Sequence, residues 1–75
     1  MTQVFKKPPA WFKPDLGQAR KHFIESELRE LGESMRVRQL QPVLARPDGT
    51  LIAGERRWRA ATLVGLPTLD VIVTE

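Results

Sequence analysis

A short apolar run, Leu51-Ile52-Ala53, meets Gly54 and then a helical stretch, Glu55 to Val64, that stops at Gly65-Leu66-Pro67. That switch from a period of two to a period of 3.6 within a dozen residues commits the chain to placing a strand directly against a helix start. A glycine at the joint supplies a backbone conformation that other residues resist. The N–H groups of the first helical turn have no partner within the helix, and they carry the positive end of its dipole, so the place suits an anion. Two arginines in that turn, Arg56 and Arg57, run against the dipole. A negative group from outside the chain would reconcile them, and a phosphate is the first candidate.

The 75 residues leave room for one domain, expected over residues 1–75. A chain of this size buries only ~60% of its unfolded surface. There is no cysteine and one histidine, His22, which removes disulfides, zinc–thiolate sites, a redox thiol and any multi-histidine cluster. No apolar run is long enough to span a bilayer and the N-terminus lacks a signal-peptide pattern, so a cytoplasmic location without a membrane partner is expected. Twelve basic and nine acidic residues leave a net charge of +3, compatible with an anionic partner but not diagnostic of one.

Gln3 to Lys7 reads as an edge strand ended by Pro8-Pro9, and Ala10 to Gln18 as a loop that Trp11 or Phe12 pins to the core. Ile24, Leu28, Leu31 and Met35 recur at i, i+4, i+7 and i+11, which predicts a helix over about 25–37 with Glu25–Arg29 as a surface pair. Gly32 weakens that helix by ~1 kcal/mol relative to alanine. Gln41 to Arg46 and Thr50 to Ala53 read as a hairpin around Pro47-Asp48-Gly49. Gly65 caps the second helix, and Thr68 to Thr74 forms a last strand with Leu69, Val71 and Val73 on one face. The fold class is a small α+β domain with two main helices and a mixed sheet.

At 100° per residue, Trp58, Ala60, Ala61, Leu63 and Val64 share one arc of the second helix. Glu55, Arg59 and Thr62 lie opposite, whereas Arg56 and Arg57 fall inside the apolar arc, which predicts that they turn inward. An inward guanidinium needs a partner. It finds either a carboxylate of the chain, such as Glu55, Asp15, Asp48 or Glu33, or a bound phosphate, which the planar fork of arginine fits well. Spacing leaves both open.

The string Leu51 to Ala61 closely resembles the GERRxRA box of the ParB partitioning family. Pro14-Asp15-Leu16-Gly17-Gln18-Ala19-Arg20-Lys21-His22-Phe23 is similar to that family's first box, Pro-Asn-Pro-x-Gln-Pro-Arg-x-x-Phe, with Leu16 and Ala19 replacing its internal prolines. Leu28 to Met35, Leu40-Gln41-Pro42-Val43 and Gly65 to Thr68 match further segments in colinear order. The resemblance implies a ParB/sulfiredoxin-like fold that binds CTP with magnesium. It implies nucleotide-binding roles for Gly54, Glu55, Arg56 and Arg57, assisted by Gln18 and Arg20 of the first box. It allows DNA as a further partner and a homodimer. The third box, the helix-turn-helix and the dimerisation domain of the family have no counterpart before Glu75, so a nucleotide-binding module inactive as an enzyme by itself is expected. Three other readings stand beside it: a DNA-contacting or nuclease-like domain, a phosphotransfer enzyme, and a structural domain with internally paired arginines. The sulfiredoxin branch of phosphotransfer needs a phosphate-loop cysteine that this chain lacks.

Overall fold

A computed structural model describes residues 3–14, 23–39 and 41–74. Four strands, β1 (Val4–Lys7), β2 (Val43–Ala45), β3 (Leu51–Ala53) and β4 (Leu69–Val73), form one sheet in the order β1-β4-β2-β3. β4 pairs antiparallel with β1 and parallel with β2, and β2 pairs antiparallel with β3, so the sheet is mixed. Two helices, α1 (Glu25–Val37) and α2 (Glu55–Val64), pack on each other. The α+β architecture, the element order and both helix spans agree with the sequence reading.

Alternation decides what each strand buries. Val43 and Ala45 of β2 and Leu69 and Val71 of β4 enter the core, which they share with Leu28, Met35, Ala60 and Ala61 of the helices. Leu44 lies between Val43 and Ala45 and opposite Ile72, so this pair occupies the other sheet face. Strands β2, β3 and β4 are shorter than the apolar runs suggest. Pro42 has no N–H to give a ladder, and Arg46 closes the hairpin, its N–H donating to the Thr50 carbonyl at 2.8 Å.

The segment after β1 is pinned as expected and is more ordered than a loop. A 3-10 turn at Pro9–Trp11 leads to Phe12, which is buried, and the Trp11 and Phe12 rings meet edge to face at 5.1 Å. Lys13 then bonds along the hairpin, its N–H reaching the Gly49 carbonyl and its carbonyl accepting from Leu51, both at 2.8 Å. The Trp58 indole N–H donates to the Pro9 carbonyl at 2.9 Å and ties this segment to α2.

Two expectations about α1 need correction. Ile24 does not join its buried stripe: it precedes the helix in extended conformation and is 60% exposed. Gly32 is not merely a weak helix residue, because it is where the helices touch. A Cβ there would lie 2.8 Å from the Ala60 carbonyl oxygen and from both Val64 methyls. Glu27 faces Arg56, Gly32 faces Ala60, and Arg36 reaches Val64, so α1 and α2 run side by side in the same direction.

Candidate functional site

The site is the start of α2. Gly54 is its N-cap, with φ 96° and ψ 25°, the left-handed region that glycine adopts at no steric cost. A Cβ at Gly54 would meet Val43 Cγ1 at 2.6 Å, so the glycine is also required by close packing on β2. No side chain caps the helix at this position, so the N–H groups of its first turn are not taken by a capping oxygen.

The arginines are arranged differently from the helical-wheel expectation. Arg56 is exposed: its side chain is 58% accessible, and its nearest carboxylate, Glu27, is 3.8 Å away and equally open. Arg57 is half-buried, and its Nη2 donates to Gln41 Oε1 at 3.4 Å, near the limit for a hydrogen bond. The wheel fixes only where Cβ points. A long stem at the rim of the α1–α2 contact carries its guanidinium out to water. None of the carboxylates anticipated as partners holds either arginine among the described residues; the Glu27 contact is a loose surface pair of the kind worth little.

The pair on the supposed solvent side is the tighter one. Arg59 Nε donates to Glu55 Oε2 at 3.0 Å, its Nη2 lies 2.9 Å from the same oxygen as an ion pair, and the Glu55 side chain is only 14% exposed. The Arg59 guanidinium lies 5.0 Å from the Phe23 ring centroid and 6.0 Å from that of Trp58. Phe23 covers the side of α2 that the wheel assigns to water, which is why Arg59 is not ordinary surface. No periodicity signals this, since Phe23 belongs to the chain before α1. An open groove of about 450 Å³ runs beside the stack, lined by Phe23, Leu28, Trp58, Arg59, Thr62 and Leu63.

Of the six residues singled out in sequence, Gly54, Glu55, Arg56 and Arg57 are brought together at this turn. Gln18 and Arg20 lie outside the described residues. Among the described residues no group of three metal-ligating side chains gathers, and the Glu55 carboxylate is taken by Arg59. The described residues at this turn thus offer guanidiniums and helix N–H groups, the chemistry of an anion site, rather than a cluster of metal-binding carboxylates. No described helix is long and apolar enough to cross a membrane.

Residues 2–75 match the ParB N-terminal domain. The chromosome-partitioning protein Spo0J of Thermus thermophilus is 43% identical over 96% of this chain and 28% of that protein. The chromosome-partitioning protein ParB of Myxococcus xanthus is 43% identical over 96% of this chain and 26% of its own. The chain thus spans about a quarter of the length of these relatives. Among solved structures, C-terminally truncated ParB from Caulobacter crescentus complexed with CTP-gamma-S superposes with a TM-score of 0.83 at 36% identity, covering 97% of this chain and 44% of that one. The same protein complexed to the centromeric parS site gives 0.76 at 38% identity over 95% of this chain and 38% of the other. Sulfiredoxin from Arabidopsis thaliana shares the fold, with a TM-score of 0.77 at 22% identity over 97% of this chain and 85% of that one. With the mixed sheet, the parallel helices and the GERR turn all in place, the chain belongs to the ParB N-terminal domain family.

Proposed function

We propose that the turn from Gly54 to Arg57 binds the triphosphate of a nucleotide, CTP first, and that the domain serves a chromosome- or plasmid-partitioning protein. One observation carries the reading: two guanidiniums stand at an uncapped helix start and, among the described residues, make only long contacts, 3.8 Å to Glu27 and 3.4 Å to Gln41. A phosphate there would accept from the first-turn N–H groups and from both forks at once. The CTP-gamma-S complex of the Caulobacter relative supports CTP as the nucleotide. In this reading Arg56 and Arg57 supply charge, Gly54 sets the turn, Glu55 opens the helix, and Gln18 and Arg20 close on the nucleotide from the first box. Magnesium would arrive with the nucleotide, since no described side-chain set gathers to hold it.

Isothermal titration of the four ribonucleoside triphosphates tests this. CTP should bind, and Arg56→Ala or Arg57→Ala should each weaken it by about 10- to 100-fold, the range of one charge-assisted hydrogen bond. A folded domain that takes up none of the four sinks the reading.

DNA contact is the second reading, favoured by the relative complexed to parS. It predicts a steep fall in DNA affinity with salt. Nuclease action gains nothing from the geometry, because no carboxylates converge among the described residues. A homodimer is tested by sedimentation with and without CTP.

A further inference from the structure

Glu55 creates a difficulty at the proposed anion site. It is the first residue of α2, and a carboxylate there is drawn to the same N–H groups and the same dipole end that would hold a phosphate. Left to itself it would compete with the ligand and repel it. The structure draws this carboxylate away. Arg59, one turn on, holds Glu55 Oε2 by a hydrogen bond from Nε at 3.0 Å and an ion-pair contact from Nη2 at 2.9 Å. Arg59 in turn lies within cation–π reach of the rings of Phe23 and Trp58, at 5.0 and 6.0 Å from their centroids. An i,i+4 pair on an open helix surface is mobile and weak. This one lies beside two aromatic rings and its carboxylate is nearly covered, so Glu55 is both neutralised and fixed along the helix flank.

We propose that Arg59 is a positioning residue for anion binding: it withdraws the Glu55 charge from the start of α2 and so leaves that turn to the ligand, without touching the ligand itself. The proposal rests on the nucleotide reading of the same turn. Phe23, the outer wall of the stack, follows Arg20 by three residues, so Arg59 also anchors the chain where the first box ends.

The test is a double-substitution cycle with CTP as probe. Arg59→Gln should weaken binding by about tenfold, the scale of one uncompensated like charge near a protein surface. Adding Glu55→Gln to Arg59→Gln should recover most of that loss, because the charge that Arg59 restrained is gone. Glu55→Gln alone closes the cycle. A double variant as weak as Arg59→Gln overturns the proposal: Arg59 would then contact the nucleotide or merely brace the fold. An Arg59→Gln variant that binds like the parent protein overturns it as well. If the parent protein does not bind CTP, the nucleotide reading falls, and the same cycle is run with inorganic triphosphate. Rescue with that anion supports the positioning role alone, and failure to bind either anion ends both.

Discussion

At Gly54 the backbone and the packing make the same demand. The residue needs a φ of 96°, and the space where a side chain would start is filled by Val43. Gly54→Ala should therefore destabilise the domain by about 2–4 kcal/mol, combining the left-handed penalty with a core clash; urea denaturation measures it. Gly65 is a useful contrast. It too has positive φ, 71°, but nothing lies within 4 Å of its missing Cβ, so Gly65→Ala should cost only the backbone share, about 1–2 kcal/mol. Asp48 shows how a turn residue acquires pH dependence. Its carboxylate accepts the Thr50 N–H at 2.9 Å, which, with the Thr50 hydroxyl and the nearby Lys13 and Arg46 charges, holds it below its ordinary 3.8. A value depressed in the folded state means that the contribution is present above the unfolded pKa and is lost as pH falls through the folded one. As pH falls below about 4 the melting temperature of the parent protein should fall more than that of Asp48→Asn, which keeps the turn bond without the charge.

Among the elements, α1 and α2 are fastened at the middle and at the C-terminal end of their contact. Midway, Gly32 admits Ala60 and Val64 to the backbone; at the end, Arg36 Nη2 donates to the Val64 carbonyl at 2.6 Å, while its Nε holds Glu33 at 3.0 Å. Gly32→Ala thus sets two effects against each other. Helix propensity gains ~1 kcal/mol, whereas a backbone oxygen at 2.8 Å cannot move aside as a side-chain tip could. Overpacking of this kind costs about 1–3 kcal/mol, so the net effect should be a lower melting temperature. A raised one would show that the helices separate easily. The sequence alone conveyed the helix spans, because the Leu28, Leu31, Met35 stripe and the Gly65-Leu66-Pro67 stop are local signals. It did not convey what Gly32 touches, nor that Phe23 lies over Arg59, because both depend on which element becomes the neighbour. The same limit misplaced the arginines: the wheel gave the direction of Cβ for Arg56 and Arg59, and the surroundings decided where the charges went.

For the molecule as a whole, protection should follow the strand order. β4 is interior, bonded on both sides, and carries the fully buried Leu69 and Val71, whereas β1 lies at an edge with Val4 and Phe5 exposed. Native-state hydrogen exchange should be slowest at β4 amides and markedly faster in β1; equal rates would mean that the sheet opens only as one unit. The candidate site sits on the other side of this scaffold, at a joint made by β3, Gly54 and α2, and that joint was legible because glycine, arginine and the apolar run are adjacent in the chain.

The position of β4 also governs when the domain can exist at all. β1 finds its first partner some 64 residues later, as the Lys6–Asp70 pair illustrates, and β2 has no second neighbour until that same segment arrives. During synthesis, then, the N-terminal strand must wait beside an unfinished sheet until the last one threads between its neighbours. Contacts so distant in sequence slow folding and prolong the exposure of unpaired strand edges. A nascent chain cut before Leu69 should retain at most the helical pair and the β2–β3 hairpin, so the turn at Gly54 would rest on an incomplete sheet until β4 is in place.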